Sequence, residues 1–362
     1  MNSKGTVLVT GISGNLGIRL LPLLSDYHVI GVDLNAPAAS HQLRFVRMDF
    51  AEEDSCRQMF LLLKEARPFA VLHLAFVIDP VRTGVLELER MWQINVAGTA
   101  RVMEAISEAN RDETIVDKFV FPSSVSVYGP DFPDTASENF RFGAHTLPYA
   151  IHKMESDRVV QQRAPALRGC SVYMLRPHIF AGASVDNYLV GAFRGTPNGK
   201  SKRAAAMRAA GRRLPVMLPF GTRYLENKIQ FVHVDDMARL LAYIVRKSEP
   251  EAQRLTILNV AGRGEPMTFG ECIRVANGKL IRVPGKGAFR TILKVLWSLG
   301  ISAIPPAAMP YMTGQYIMNT DRLRTFLGTD YDNVIRYTIT DAFADCFTSN
   351  DKLPAPQYVG AH

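Results

Sequence analysis

Residues 5–17 read Gly5-Thr6-Val7-Leu8-Val9-Thr10-Gly11-Ile12-Ser13-Gly14-Asn15-Leu16-Gly17, and this stretch decides the fold of the chain. Residues 6–9 are rich in β-branched side chains and predict a short buried strand. The glycines Gly11, Gly14 and Gly17 predict a tight turn into a helix whose N-terminus presents backbone N–H groups to a phosphate. Alone, this glycine pattern is equally typical of an ordinary strand-to-helix turn.

A second apolar run supports a dinucleotide site. Residues 28–33 predict another strand, which ends in Asp33 about 20 residues beyond the first glycine. A carboxylate at that strand end accepts hydrogen bonds from the ribose hydroxyls of an adenosine. The alternative is that Asp33 only begins a turn. Residues 31–43 contain no lysine or arginine, which favours NAD over NADP unless Arg19 or Arg44 folds back toward the ribose.

Alternating strands and helices continue along the first half of the chain. The pattern predicts strands at 43–49, 70–75 and 118–121, and helices at 15–24, 55–66, 95–109 and 149–163. This alternation predicts an α/β fold with a Rossmann-type doubly wound parallel sheet in residues 1–180. Residues 181–362 would form a smaller α+β substrate-binding domain. Ligands of such sheets bind at the carboxyl ends of the strands.

The composition indicates a globular protein with a basic surface. The 362 residues are 47% hydrophobic, and the net charge of +8 suits acidic ligands such as nucleotides, phosphates or anionic surfaces. No nucleic acid partner is expected, because the chain shows neither zinc-finger spacing nor an aromatic-basic RNA motif. The four cysteines are scattered without a CxxC pair, which predicts a reducing compartment and no metal site. The N-terminus runs directly into the first strand, so we expect no signal peptide and a cytoplasmic location.

Tyr149 and Lys153 form the next chemically informative pair, at the start of a predicted helix. Residues four apart share one helix face, so the phenol and the ammonium would point the same way. A cation beside a phenol favours the phenolate. The pair therefore predicts a pKa for Tyr149 well below its ordinary value of about 10, next to Lys153 and an oxidised nicotinamide.

Several segments carry a family pattern in combination. They are TGISGNLG at 10–17, SSVSVYG at 123–129, the pair Tyr149 and Lys153, LRP at 175–177 and FVHVDD at 231–236. The combination resembles the extended short-chain dehydrogenase/reductases over about residues 5–262. It is most similar to their NAD-dependent epimerase/dehydratase group, which includes UDP-glucose 4-epimerase.

The resemblance implies a role for each matching residue. Tyr149 would be the general base, Lys153 its pKa partner and a ribose ligand, and Ser124 the hydrogen-bond donor to the reacting oxygen. The residues implied in NAD binding are Gly11, Ser13, Gly14, Asn15, Leu16, Gly17, Asp33, Asp49, Phe50, Leu74, Ala75, Tyr149, Lys153 and Pro177. The resemblance also implies a homodimer through the helices at 95–109 and 149–163, and a return of residues 229–262 to the nucleotide domain.

The implied chemistry is oxidation of a secondary alcohol. Tyr149 would remove the hydroxyl proton while the adjacent C–H passes hydride to NAD. An epimerase returns the hydride to the other face of the ketone, whereas a dehydrogenase releases the ketone. A dehydratase of this group carries a carboxylic acid directly after the catalytic hydroxyl. Val125 occupies that position here and counts against dehydration.

Three hypotheses for the function stay open. Many sugar-nucleotide enzymes of this group carry an asparagine two residues beyond the position of Pro177, where this chain has Ile179. The first hypothesis is nevertheless an epimerase of a nucleotide sugar. The second is an NAD-dependent dehydrogenase of a sterol or lipid-linked alcohol, which Ile179 and an apolar stretch at 288–312 favour. The third is a non-catalytic NAD-sensing protein.

Two segments of unusual composition lie in the second half of the chain. Residues 193–213 hold seven basic residues and no acid, which is typical of a solvated face or a flexible loop. The alternative is a mobile lid that binds a phosphate-bearing substrate or an anionic surface. The apolar residues 288–312 are interrupted by Pro305 and Pro306 before they reach the length of a membrane span. We expect them to line the substrate cleft or to pack as a helix, with a lid over a lipid-like substrate as the alternative.

Overall fold

The computed structural model describes residues 4–38, 43–78, 87–248 and 255–348. Its strands are β1 (Thr6–Thr10), β2 (His28–Asp33), β3 (Arg44–Arg47), β4 (Ala70–His73), β5 (Lys118–Pro122), β6 (Ser171–Pro177), β7 (Ile179–Ala181), β8 (Val216–Pro219), β9 (Lys228–Ile229), β10 (Phe231–His233), β11 (Leu255–Val260), β12 (Met267–Thr268) and β13 (Leu280–Val283).

The α-helices alternate with these strands in the first half and cluster in the second. They are α1 (Asn15–Leu20), α2 (Ser55–Ala66), α3 (Leu88–Trp92), α4 (Gly98–Ala109), α5 (Pro148–Arg163), α6 (Tyr188–Arg194), α7 (Lys202–Ala209), α8 (Arg223–Glu226), α9 (Val234–Arg246), α10 (Phe269–Val275), α11 (Gly285–Ser298), α12 (Met309–Thr313), α13 (Asp321–Leu327), α14 (Tyr331–Val334) and α15 (Ile339–Asp345). Short 3-10 helices occur at Leu21–Leu24, Val125–Tyr128, Ala164–Ala166, Pro306–Ala308 and Gly328–Asp330, and a π-helix at Gln93–Ala97.

Seven of the strands form one parallel sheet, which confirms the predicted doubly wound α/β fold. Their order is β11-β6-β5-β4-β1-β2-β3. From β1 the chain adds β2 and β3 on one side, and it then crosses over to place β4 on the other side of β1. One face packs on α2, α4 and α5 through residues such as Leu63, Met103 and Val160. The other face packs on α1 and α9 through residues such as Leu20 and Leu241. Burial on both faces explains the nearly uncharged strands.

Three predicted elements differ from the observed ones in their details. The strand predicted at 43–49 spans only Arg44–Arg47. The helix predicted at 15–24 is α-helical to Leu20 and continues as a 3-10 turn, where Pro22 has no N–H to donate. The helix predicted at 95–109 begins with the π-helix Gln93–Ala97.

A smaller lobe lies beside the sheet and contains most of the second half of the chain. Two-stranded pairs β7–β10, β9–β12 and β8–β13 support it, and aromatic residues fill its core, among them Phe193, Phe269, Phe289 and Phe343. The apolar stretch at 288–312 forms part of α11, a 3-10 turn and the start of α12. Throughout the described residues, every helix is too short or too polar to span a membrane.

Gly17 permits the close packing of α1 on the turn before it. A Cβ atom at Gly17 would lie 2.7 Å from the Ile12 Cα atom, with the Ile12 carbonyl oxygen nearer still. The obstruction is backbone, which cannot rotate away as the tip of a side chain can. Helix α1 therefore requires glycine at this position even though glycine is a poor helix former.

We expect Gly17→Ala to lower the free energy of unfolding by about 2 kcal/mol or more, because the added methyl group overpacks the turn. The matched control is Gly287→Ala in α11, where an added Cβ meets no atom within 4 Å. That change should raise the free energy of unfolding by about 0.5 to 1 kcal/mol. Urea unfolding of both variants measures the difference. Equal stability of the two variants would show that α1 can shift freely.

Two histidines are buried at the sheet, His73 on β4 and His178 directly after β6. His73 on β4 places Nδ1 2.8 Å from Thr10 Oγ1 and Nε2 3.2 Å from Thr99 Oγ1. His178, just after β6, accepts the next residue's N–H and lies with Nε2 3.1 Å from the Tyr316 carbonyl. Burial lowers the pKa of each imidazole to about 3. Both rings are therefore neutral in the folded chain at physiological pH.

The two histidines predict acid sensitivity. Unfolding exposes the imidazoles, which then titrate near their ordinary pKa of about 6.5. Between about pH 6.5 and pH 3 the unfolded chain binds protons that the folded chain does not, so stability decreases as the pH falls through this window. Each histidine contributes a slope of about 1.4 kcal/mol per pH unit.

We expect His178→Gln to reduce the slope of the free energy of unfolding against pH between about pH 4 and 5.5. The reduction should be about 1.4 kcal/mol per pH unit, the contribution of one proton, whatever the variant does to absolute stability. Denaturant unfolding at several pH values measures the slope. Replacement of the exposed His28 by glutamine is the control and should leave the slope as it is in the wild type. An unchanged slope in the His178 variant would mean that this ring is protonated in the folded protein.

Candidate active site

The glycine turn after β1 lies directly against the end of β4. Gly11 has a φ of +68°, and a Cβ atom there would lie 2.6 Å from the Ala75 backbone nitrogen. At Gly14 a Cβ atom would meet only the Gly11 carbonyl, 3.2 Å away, so it would point into the open space above the turn. A pyrophosphate approaches the backbone from this space in dinucleotide-binding turns. The turn therefore fits NAD at its predicted place.

Asp33 at the end of β2 faces this turn. Its carboxylate accepts hydrogen bonds from the N–H groups of Ser13 (3.0 Å) and Leu34 (2.7 Å). Burial raises the pKa of Asp33, and these backbone hydrogen bonds act in the opposite direction. The carboxylate thus belongs to the turn, and its contact with an adenosine ribose stays a prediction.

The two arginines that were alternatives for a 2′-phosphate have other partners. Arg19 pairs with Asp235, and Arg44 lies 2.9 Å from Glu65. Neither is placed beside Asp33 as a 2′-phosphate ligand. This arrangement supports the preference for NAD.

Asn15 and Leu16 follow the turn and make contacts within the protein. Asn15 Nδ2 donates to the Ser184 carbonyl at 3.0 Å, so its side chain ties α1 to the loop after β7. Leu16 is partly buried in the core on the α1 face of the sheet. Their roles in NAD binding stay predictions, with backbone groups as the available contacts.

Asp49 and Phe50, predicted at the adenine, also have protein partners. Asp49 accepts hydrogen bonds from the Ala51 N–H (2.9 Å) and from Arg90 Nη2 (2.5 Å). The Phe50 ring is buried edge-on against His73. Arg90 was not identified from the sequence, because it lies 41 residues from Asp49 in no recognisable motif.

Ser124 and Tyr149 are brought together at the carboxyl end of β5. Ser124 caps the 3-10 helix Val125–Tyr128, and its Oγ accepts hydrogen bonds from the Ser126 N–H (3.1 Å) and hydroxyl (3.0 Å). Ser124 is near enough to the Tyr149 phenol to lower its pKa. The catalytic roles of the two side chains stay predictions.

Lys153 lies one turn after Tyr149 and is buried. Its Nζ donates to the Pro122 carbonyl at 2.6 Å and lies 3.5 Å from the centroid of the Phe76 ring. The same Phe76 ring packs edge-on against Tyr149. Burial lowers the pKa of Lys153 to about 7, against a smaller raising effect of Asp157. The Lys153 ammonium and the Tyr149 phenol ring therefore both pack against Phe76.

The pKa of Tyr149 is raised in the chain without a nicotinamide. Burial is the main cause, and the nearby Ser124 hydroxyl only partly offsets it. The lowered pKa predicted beside Lys153 and an oxidised nicotinamide stays a prediction, because Lys153 alone does not produce it. The reason is that the Lys153 ammonium is itself desolvated and is directed to Pro122 and Phe76.

A buried ion pair between Asp157 and Arg176 adjoins the Tyr-Lys helix, and sequence reasoning missed it. Asp157 accepts hydrogen bonds from Arg176 Nε (2.8 Å) and Nη2 (2.9 Å) and from the Ser123 hydroxyl (2.8 Å). Arg176 also donates to the Tyr128 hydroxyl at 2.8 Å. The available signal was the position of Asp157, four residues beyond Lys153 on the same helix face.

Asn95, which lies within the π-helix, is a second residue that sequence reasoning missed. Its side chain bonds both backbone groups of Val77, accepting from N–H at 2.6 Å and donating to C=O at 3.0 Å. Its carbonyl accepts from the Ser156 hydroxyl at 3.0 Å. The asparagine thus joins the segment after β4 to α5, and such π-bulges frequently occur at functional sites.

The smaller lobe closes over the serine turn. The Tyr311 hydroxyl, from α12, donates to the Ser126 carbonyl at 3.3 Å, and burial is the main cause of its raised pKa, with Tyr149 adding to it. Beside α12 lies a cavity of about 50 Å³ with apolar walls, which include Phe193, Leu214, Leu218, Phe289, Leu293 and Met312. Pro177 ends β6, and Ile179 begins β7 two residues later in the chain.

The basic segment at 193–213 is folded. Arg194 donates to the Cys346 carbonyl at 2.8 Å, and Arg208 to the Gly199 carbonyl at 3.1 Å. Helix α7 occupies its middle, and most of its basic side chains face solvent. Within the described ranges, no three His, Cys, Asp or Glu side chains form a group that could hold a metal ion.

Comparisons with known proteins agree with this geometry. A sequence profile described as the NAD dependent epimerase/dehydratase family matches residues 7–261. UDP-glucose 4-epimerase of Drosophila melanogaster is 26% identical over 256 residues, which cover 64% of this chain and 70% of that protein. The enzyme of the same name from Erwinia amylovora is 26% identical over 250 residues, which cover 64% and 71%.

Solved structures share the fold over nearly the whole chain. UDP-glucose 4-epimerase of Thermotoga maritima, solved with UDP-glucose, has a TM-score of 0.63 at 18% identity and covers 94% of this chain and 97% of that one. dTDP-glucose 4,6-dehydratase of Bacillus anthracis, solved with NAD, has a TM-score of 0.64 at 15% identity and covers 95% of each. The chain therefore belongs to the NAD-dependent epimerase/dehydratase family, whose cofactor is NAD.

Proposed function

We propose that this enzyme is an epimerase that oxidises and re-reduces a secondary alcohol of a nucleotide sugar. The observation that carries the proposal is the packing of Tyr149 and Lys153 on the same Phe76 ring, with Lys153 hydrogen-bonded to the strand end that precedes Ser124. Relatives named UDP-glucose 4-epimerase support the substrate class. The predicted division into a nucleotide domain (1–180, with 229–262) and a substrate domain (181–362) belongs to the same proposal, as does a homodimer.

The residues proposed to hold NAD surround the glycine turn. Gly11, Ser13 and Gly14 would face the pyrophosphate, Asp33 the adenosine ribose, and Pro177 the nicotinamide. When bound, NAD supplies the oxidising ring and a positive charge beside the phenol. That charge is what the site needs, because burial alone raises the pKa of Tyr149.

The roles of the three catalytic side chains follow from their hydrogen bonds. The Ser124 oxygen already accepts two hydrogen bonds from Ser126, so its own proton is directed outward to Tyr149 or to the reacting oxygen. Tyr149, once it is ionised, accepts the proton of the substrate hydroxyl. Lys153, with a pKa of about 7, is partly charged near neutral pH and can stabilise that phenolate before it takes the proton.

Elimination of water receives no support from the residue after Ser124. Val125 is buried and apolar, so no carboxylic acid stands at that position to protonate a leaving hydroxyl. This is why the proposal is epimerisation rather than dehydration.

A second candidate is an NAD-dependent dehydrogenase of a sterol or lipid-linked alcohol. The apolar stretch at 288–312, which forms part of α11 and the start of α12, favours it. Ile179 also stands where many sugar-nucleotide enzymes carry asparagine. A non-catalytic NAD sensor is the third candidate.

We expect Tyr149→Phe to lower turnover by at least about a hundredfold while NAD stays bound, because only the proton acceptor is removed. Tyr27→Phe is the control, since that ring packs on Phe69 far along the chain from the site. Turnover and released cofactor are measured on the same preparations. Undiminished turnover in Tyr149→Phe would refute the proposed base, and absence of turnover in the wild type with every substrate would favour the NAD sensor.

Product analysis separates epimerase from dehydrogenase. We expect the purified protein to release near-stoichiometric NAD on denaturation and to convert UDP-glucose or UDP-glucuronic acid to its epimer without accumulating NADH. Mass spectrometry of the cofactor and chromatography of the sugar nucleotide provide the two measurements. NADH formed in step with a ketone product, from an apolar secondary alcohol, would instead establish the dehydrogenase.

A further inference from the structure

The second half of the chain contains two long segments without any acidic residue. Residues 187–225 hold eight lysines and arginines, and residues 272–320 hold six, while neither contains aspartate or glutamate. At the average acid content of this chain, segments of this combined length would hold about eight acids. The remaining 28 basic residues are outnumbered by the 34 acids, all of which lie elsewhere. The positive net charge of the protein therefore originates in these two segments.

The fold brings the two acid-free segments together as one unit, which we call the basic lobe (residues 187–225 and 272–320). Strand β8 from the first pairs in parallel with β13 from the second. The Gly199 N–H donates to the Ile301 carbonyl at 2.9 Å, and the Ser201 N–H to the Gly300 carbonyl at 3.0 Å. The segment after the end of α11 thus meets the segment before the start of α7.

Apolar side chains are exposed among these cations. On α11, Lys286, Arg290 and Lys294 follow each other at four-residue spacing, and all three face solvent. Val295 is 49% exposed and Leu299 43% exposed beside them. At the strand ends, Phe220 is 62% exposed, although its backbone N–H is bonded to the Val283 carbonyl. A helix that combines a basic stripe with exposed aliphatic residues is typical of an interfacial membrane contact.

We propose that the basic lobe docks on membranes rich in anionic phospholipid. Lysine and arginine side chains near such a surface each contribute about 1 kcal/mol of attraction, and the exposed apolar residues gain by entering the headgroup region. Nucleic acid would use the same cations but would leave Val295 and Leu299 without a complementary partner. A symmetric dimer through this lobe would oppose two positively charged surfaces, which is unfavourable.

The location of the lobe links docking to catalysis. Tyr311, within residues 272–320, contacts the serine turn through the Ser126 carbonyl, and the apolar cavity lies inside the lobe. A membrane-docked lobe would therefore stay joined to the serine turn through Tyr311. Docking itself does not depend on which alcohol the enzyme oxidises.

The test is cosedimentation of the full chain with vesicles of phosphatidylcholine alone or with about a third phosphatidylglycerol, at low and high salt. We expect binding to the anionic vesicles only, weakened by salt because the Debye length shortens. The triple variant Lys286→Gln, Arg290→Gln, Lys294→Gln should bind at least about tenfold more weakly. Val295→Ser with Leu299→Ser should also weaken binding without changing charge.

A matched control removes three exposed basic residues outside the lobe, by Arg57→Gln, Lys64→Gln and Arg168→Gln. It should bind vesicles as the wild type does, and thermal unfolding confirms that every variant is folded. Absence of binding to anionic vesicles would overturn the proposal. So would tighter binding to duplex DNA than to the vesicles at equal salt, or equal loss of vesicle binding in the control.

Discussion

The buried carboxylate of Asp157 connects the elements on which the active site depends. It accepts hydrogen bonds from Arg176 on β6 and from Ser123 at the end of β5, and it lies on α5 one turn after Lys153. Both members of the ion pair are almost fully inaccessible to water. Removing one partner of such a pair typically costs about 3 to 5 kcal/mol, because the remaining charge stays buried. The pair therefore holds the serine-bearing strand end and the Tyr-Lys helix in one fixed relation.

Desolvation is the second constraint, and it acts on the catalytic groups themselves. Lys153 is enclosed by Phe76, Phe121 and the Pro122 carbonyl, so its ammonium form is destabilised and its pKa falls to about 7. The same burial raises the pKa of Tyr149. These opposite shifts separate two pKa values that are similar in water: that of Lys153 approaches neutral pH, whereas that of Tyr149 moves away from it. The chain alone therefore keeps Tyr149 as the neutral phenol, and a bound cation would favour the phenolate.

The two halves of the molecule differ in electrostatic character. The sheet domain contains most of the acids, and its surface pairs are mostly exposed ion pairs of small energetic value, such as Arg67 with Glu113. The basic lobe has no acids with which to form such pairs internally. Strand pairing joins its two segments, and Phe193 packs the lobe against Phe269 and Phe343 outside it. The exposed cations Lys286, Arg290 and Lys294 face solvent, where an external anionic partner could reach them.

The sequence by itself determined the sheet and the glycine turn, because strand and helix periodicity and the steric needs of Gly11 and Gly17 are local properties. It also predicted, through a motif, that Ser124, Tyr149 and Lys153 belong to one site. Tertiary structure alone decided which groups surround them. Asp157 meets Arg176, and Asn95 meets Val77, only because distant segments are brought together at the sheet edge. Burial sets the direction of the Tyr149 pKa shift, and strand pairing joins the two acid-free segments. No local sequence pattern encodes either of them.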